Sequence, residues 1–403
     1  MRRFLIACCA AAAGAYTTVR LVQSLRSRRE APPPLERDTA AYGRYRRGRM
    51  VGELVLGLGR QYAFVFGGGA ARLARRTRTR RPLVDAALSS AAMLALSAVV
   101  DLPGEHAGGL VVERRYGLSA QSDGAWLADH AKGLGVMLAI APPLASLFTL
   151  AARKAPRAWP WLVSGAIFPL AMLANVVGPL YLAPLFNRYE PLEGPLTDRL
   201  RALAERVGVP SAAIFRVDMS RQTEKANAFV TGLFGVHRVV LGDTLLAHFS
   251  DDEIVWVVAH ELGHYVRRDT WKMVAISQAA GTLVVFAAKA LAERAIARDA
   301  DGDLGVSALD EPAALPLLLL EATLASTLIG PAVAAISREI EWAADRFARA
   351  ALPDGDAAGA SALRRLRDRN LAEDEQPRWA ELLFATHPSL RARVEALERP
   401  AKA

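Results

Sequence analysis

The 403-residue chain is 52% hydrophobic and 23% charged, with 50 Lys and Arg against 41 Asp and Glu and a net charge of +9. Its mean hydropathy is positive, +0.16, so the apolar residues must be gathered into blocks, which excludes disorder, a small disulfide-stapled fold and a purely soluble enzyme. The two cysteines, Cys8 and Cys9, are adjacent and offer neither a disulfide framework nor a cysteine-based zinc site. Only six of the 50 basic residues are lysines, and this arginine and alanine bias points to a GC-rich bacterial genome. The arginines flank apolar blocks, which fits membrane anchoring better than nucleic-acid binding.

Residues 4–19 follow Arg2 and Arg3 and read as an uncleaved N-terminal span, a signal peptide or, from Leu5-Ile6-Ala7-Cys8, a lipidated terminus. The four apolar residues before Cys8 are short for a lipoprotein leader. Residues 20–50, with nine arginines and a proline run at 32–34, are expected to form a solvated linker beside lipid headgroups. Segment 51–71 holds Glu53 and Arg60 and is either a weak span or a cavity lining. The run Arg72, Arg75, Arg76, Arg78, Arg80 and Arg81 lacks interleaved aromatics and reads as a headgroup-binding loop, so no nucleic-acid partner is expected.

Five apolar blocks approach or exceed the ~20 residues that cross a bilayer. They are 83–101, 133–152, 159–186, 273–291 and 313–337, the last two with only Lys289 and Glu321 charged. With the two weaker segments, five to seven spans are expected. Residues 184–270 form a soluble insertion, with a helix at 197–207 ending before Gly208 and Pro210, then β-like runs at 213–217 and 236–241. The tail, 338–403, is charged and helical by pattern. The expected regions are therefore 1–183 (membrane, with the linker 20–50), 184–270, 271–337 (a transmembrane hairpin) and 338–403.

His260-Glu261-Leu262-Gly263-His264 carries the chemistry. Ser250 and Glu253 upstream have the spacing of a capping box, which places the motif on a helix. Histidines four apart project from one face and can hold the same zinc ion. Glu261 stands beside them, where it can take a proton from a zinc-bound water whose pKa the metal lowers to roughly 7. A third ligand is offered by Glu341, with Asp345 one helical turn later to accept the spare N–H of a ligating histidine. The hairpin 273–337 runs out and back, so it returns Glu341 to the membrane side of His264. Glu339 competes, but its spacing to Asp345 is not helical. One zinc per chain follows. His237 and His248 lie outside the motif, and His106 and His130 read as interfacial.

Several segments resemble the membrane gluzincin peptidases, namely type I CAAX prenyl proteases and their bacterial relatives, with the membrane heat-shock zinc proteases more distant. They are Pro184-Leu185-Phe186-Asn187, Asn227-Ala228-Phe229 with Asp243-Thr244-Leu245-Leu246, the H-E-x-x-H motif, Ser337-Arg338-x-x-Glu341-x-x-x-Asp345 and His387-Pro388-Ser389. The resemblance covers about residues 180–395. It implies a mainly α fold, a polytopic transmembrane helix bundle with an inserted small α+β zinc-peptidase region. It implies that Asn227 and Ala228 lie on a substrate-binding edge strand and that His387 stabilises the oxyanion. Arg338 would bind a substrate carboxylate, buttress the site or sit solvated at the interface.

The expected function is an integral membrane zinc endopeptidase acting on peptide or protein substrates, prenylated or membrane-associated, within a lipid bilayer. The alternatives are a quality-control protease without prenyl specificity and a non-catalytic zinc-binding membrane sensor. A structural site has no use for a base beside two ligands, which argues against the last. The acidic loop 292–312 lies opposite the catalytic segments, which favours a cytosolic site on a bacterial inner membrane. The arginines at 72–81 and 153–157 point the other way, and the resemblance decides for the cytosol.

Overall fold

The computed structural model describes residues 38–210, 212–231, 238–300 and 302–399. The N-terminal segment 4–19, both cysteines, residues 20–37 and His237 lie outside the described residues.

The last part of the expected linker is helical. α1 (Thr39–Phe66) begins on Asp38, whose side chain accepts from the Ala41 N–H, and buries Tyr42 completely. Residues 39–50 are thus an arginine-studded helix, because an N-cap and one buried tyrosine outweigh the charge that suggested a linker. A short α2 (Gly69–Arg76) follows. Among the described residues, five helices are long and apolar enough to cross a membrane, at Pro82–Arg115, Asp123–Lys154, Trp159–Leu185, Asp269–Ala297 and Ala314–Ala351. Each covers one of the five expected blocks to within one residue at either end, and α1 is not among them.

The first of these stretches opens with α3 (Pro82–His106) and continues through a π-helical turn at Ala107–Val111. α4 (Asp123–Lys154) starts on Ser122, which accepts from the Ala125 N–H. α5 (Trp159–Val177) passes into a second π-helical turn at Gly178–Leu182. Pro103, Pro142, Pro143, Pro169 and Pro331 all lie inside helices, which neighbouring helices tolerate in a bundle.

The segment expected to be a soluble insertion carries a four-stranded sheet with helices on it. β1 (Tyr189–Pro191), β2 (Ala213–Val217), β3 (Ala228–Thr231) and β4 (Arg238–Gly242) lie in the order β1-β2-β4-β3. β2 and β4 are parallel and the outer pairs antiparallel, so β3 is an edge strand. α6 (Pro195–Arg206) and α7 (Asp251–Val266) bury Leu200, Leu203, Trp256 and Leu262 in a core shared with the sheet. α8 (Asp269–Ala297) leads away and α9 (Ala314–Ala351) returns as one continuous helix. The boundary expected at 337/338 therefore falls inside a helix. Composition changes there from apolar to charged, yet no residue breaks the backbone.

α10 (Asp356–Asn370), α11 (Arg378–Phe384) and α12 (Leu390–Glu398) complete the fold. α10 crosses α7 with Gly359 against Trp256, and a Cβ there would lie 2.4 Å from two indole atoms. Gly359→Ala should therefore lower stability by about 1–3 kcal/mol, the usual cost of overpacking. A melting curve checks it, and an unchanged Tm would mean that the contact yields freely.

Candidate metal centre

α7 presents the motif because its start is fixed. Ser250 N–H donates to Glu253 Oε2 at 2.8 Å and Glu253 N–H to Ser250 Oγ at 3.4 Å, the reciprocal bonds of a capping box. Glu253 is buried and also accepts from Ser361 Oγ at 2.6 Å, which ties α10 to the motif helix. About one turn after Glu253, Trp256 stacks near the ring of His260, at 6.0 Å between centroids.

The two imidazoles meet on one face, with His260 Nε2 and His264 Nε2 3.2 Å apart. Glu341 comes from α9, its Oε2 3.4 Å from His260 Nε2 and its Oε1 3.5 Å from His264 Nε2. These three residues are the candidate metal-holding group among the described residues. A tetrahedral ion with ligand bonds of about 2.1 Å needs ligand atoms about 3.4 Å apart, so the spacing fits. Glu341 Oε2 is also buried without a hydrogen-bond partner, a cost that a cation at this point removes. Two imidazole nitrogens and a carboxylate suit a transition metal rather than calcium or magnesium. Glu339 is exposed and not part of the group.

Each imidazole is oriented through its other nitrogen. His260 Nδ1 lies 2.9 Å from Asp345 Oδ1, where the sequence expects an orienting carboxylate. Asp345 is itself gripped by the buried Arg393 of α12, which donates Nε to Oδ2 at 2.8 Å and Nη2 to Oδ1 at 2.6 Å. His264 Nδ1 lies 3.1 Å from Oδ2 of Asp269, a buried residue that opens α8 and also accepts from Lys272 Nζ at 2.7 Å. Sequence reasoning missed Arg393 and Asp269. An acid just after the motif helix was the available sign for Asp269, whereas nothing local marks Arg393.

Glu261 stands beside the cluster. Burial pushes its carboxyl up to about 7, with Glu341 adding to the rise and His260, Arg393 and a backbone hydrogen bond from Val230 of β3 opposing it. A carboxyl near neutrality is suited to taking up a proton at physiological pH.

His387 is brought to the site from the turn between α11 and α12. Its Nε2 is 3.4 Å from Glu341 Oε1 and its Nδ1 3.0 Å from Thr386 Oγ1. Arg338 reaches that turn from behind, donating Nη1 to the carbonyls of Glu381 at 3.0 Å and Ala385 at 2.7 Å. Both carbonyls lie on the approach to His387, and buttressing remains a proposal for Arg338, beside the substrate-binding and solvated roles. Asn227 and Ala228 sit at the start of the edge strand, where Gly242 N–H donates to Asn227 O at 3.0 Å.

The remaining described histidines are elsewhere. His106 pairs with Asp123 and His130 with Glu105, both beside the Trp126 ring. The carbonyl of His248 accepts from Arg365.

Residues 192–401 match peptidase family M48, and residues 36–188 match the N-terminal region of CAAX prenyl proteases, described as five membrane helices. α1 and α2 are the helices of that stretch outside the apolar spans. CAAX prenyl protease 1 of Saccharomyces cerevisiae is 37% identical over 185 residues, 45% of this chain and 41% of that protein. The rice homologue of CAAX prenyl protease 1 is 30% identical over 320 residues, 76% of this chain and 72% of that one. The Bacillus subtilis metalloprotease YhfN is 28% identical, over 72% of this chain and 68% of its own. The fold is that of the crystal structure of S. mikatae Ste24p, with a TM-score of 0.77 at 24% identity over 98% of this chain and 99% of that one. The expectation of a mainly α, multi-pass membrane metalloprotease is therefore borne out, and the chain belongs to peptidase family M48.

Proposed function

We propose that the chain is a zinc endopeptidase that cleaves near the carboxy terminus of prenylated, membrane-associated peptides or proteins. The observation that supports it best is the triangle of His260, His264 and Glu341 at zinc-ligand spacing, with Glu261 beside it. When bound, the metal supplies a Lewis acid that acidifies water and polarises the scissile carbonyl. His260, His264 and Glu341 hold it, while Asp345, with Arg393 behind it, and Asp269 keep both Nε2 atoms turned toward it. Glu261 takes the proton of the attacking water and returns it to the leaving amine. The edge strand β3, with Asn227 and Ala228, pairs with the substrate backbone.

His387 donates a hydrogen bond to the oxyanion that forms on the cleaved amide, held in place by the turn that Arg338 secures. His387→Ala should then lower kcat by about 100-fold, with metal content and KM little changed. If the residue is only a turn element, the substitution lowers Tm and leaves turnover per folded molecule near normal. Kinetics normalised to bound metal, beside a melting curve, distinguish the two.

The substrate class is tested by hydrolysis of a prenylated carboxy-terminal peptide, its unprenylated twin and casein. Preferential cleavage of the prenylated peptide supports the reading, and equal cleavage of all three assigns the chain to general proteolysis. The acidic loop between α8 and α9 supports a cytosol-facing site in a bacterial inner membrane. Reporter fusions after residues 82 and 403 test that orientation.

A further inference from the structure

An edge strand offers half of its backbone groups outward. The bond from Gly242 N–H to Asn227 O and the pairing of Ala228 with Leu241 fix which half. Asn227, Phe229 and Thr231 bond to β4, whereas Ala226, Ala228 and Val230 direct N–H and C=O away from the sheet. At Ala226 the outward pair is already used. Its N–H donates to Asn370 Oδ1 at 2.8 Å, and Asn370 Nδ2 donates to its carbonyl at 3.1 Å. One carboxamide thus satisfies both groups of one residue, as a neighbouring strand would.

This closure is held from three parts of the chain. Asn370 ends α10 and is followed by Leu371 in the left-handed region, φ 47°, buried with Tyr42 of α1 and Leu118 of the loop after α3. Glu224 N–H and Thr223 Oγ1 donate to Leu118 O at 2.9 and 3.1 Å. Lys225 Nζ lies 2.7 Å from Glu113 Oε2 and donates to the Tyr42 hydroxyl at 3.0 Å. The other end of the free edge is the catalytic end, since Val230 has a backbone hydrogen bond to Glu261. From Val230 to Ala226 is four residues, about 13 Å of strand.

We propose that Asn370 is a stop on the substrate strand and so a specificity-determining residue. The proposal rests on the reading above that β3 pairs with the substrate. A substrate pairs antiparallel, the more stable arrangement, so the residues after the cut bond run from Val230 toward Ala226. There the backbone meets Asn370, which leaves room for about three residues beyond the cut at ~3.3 Å each. A longer extension must leave the edge or displace two hydrogen bonds.

The test is a peptide series identical up to the cut bond and carrying one to eight residues after it. For the wild type, kcat/KM should fall by about 10- to 30-fold once the extension passes about three residues, the size expected for displacing two hydrogen bonds. In Asn370→Ala the ratio between short and long peptides should shrink to within about threefold, and Asn370→Asp, which keeps one acceptor, should fall between. A merely structural role lowers every member alike and leaves the ratio unchanged, which overturns the proposal. So does a wild type indifferent to length. Fluorescence anisotropy of the same peptides on zinc-loaded Glu261→Gln, with and without Asn370→Ala, reads the stop without turnover. Length-dependent binding that Asn370→Ala abolishes, with no cleavage by the wild type, upholds the stop and refutes the peptidase reading.

Discussion

Glu261→Gln should retain its metal and lose turnover by roughly 100- to 10,000-fold, the contribution of general acid–base catalysis. Glutamine keeps the size of the side chain and an oxygen that still accepts the Val230 hydrogen bond, so neither the strand nor the ligand triangle is disturbed. It cannot take the proton of the attacking water. Asp345→Asn is the informative companion. It leaves His260 Nδ1 with a weaker acceptor and should cost only about 10- to 100-fold in turnover. It also leaves Arg393 buried against a neutral partner, so Tm should drop where Glu261→Gln leaves it unchanged. Equal losses of turnover from the two substitutions would mean that base and orienting group are wrongly assigned.

His264→Ala should remove metal and activity together, with hydrolysis falling by about a thousandfold or more because the Lewis acid is worth several kcal/mol. The substitution leaves His260 and Glu341 as two ligands and releases Asp269, which stays paired with Lys272. Metal analysis beside an activity assay checks this. Stoichiometric metal with normal turnover in the variant would exclude His264 as a ligand.

Much of the centre is legible in the sequence because its parts are local or joined by simple topology. Ser250 and Glu253 announce the start of the motif helix, and the spacing of His260 and His264 puts both rings on one face. Glu341, 77 residues beyond His264, is predictable because two apolar blocks of similar length carry the chain out and back. The rest depends on tertiary burial. Arg393 is one of several arginines in the C-terminal helices, and only its burial against Asp345 sets it apart from the exposed Arg391. Asp269 follows Arg267 and Arg268 and reads as surface charge. The left-handed backbone at Arg268, φ 57°, starts α8 so that Asp269 reaches His264. Asn370 meets Ala226 across 144 residues, a distance no local pattern reports.

The helix at 39–50 was hidden for a related reason. Its arginines dominate the composition, while the residues that hold it, Asp38 at the cap and the buried Tyr42, are single positions. A charge run marks what faces solvent or headgroups and says little about whether the backbone beneath is helical.

The central claim is that two histidines of one helix and a glutamate of the returning hairpin hold one zinc ion. Zinc-edge X-ray absorption on the purified wild type, with His264→Ala as control, tests it most directly. The expected result is one zinc per chain bound only by light atoms, with two imidazoles in the shell, and loss of that signal in the variant. Sulfur in the shell, which only Cys8, Cys9 or a methionine could supply, or a spectrum unchanged by His264→Ala, would contradict it.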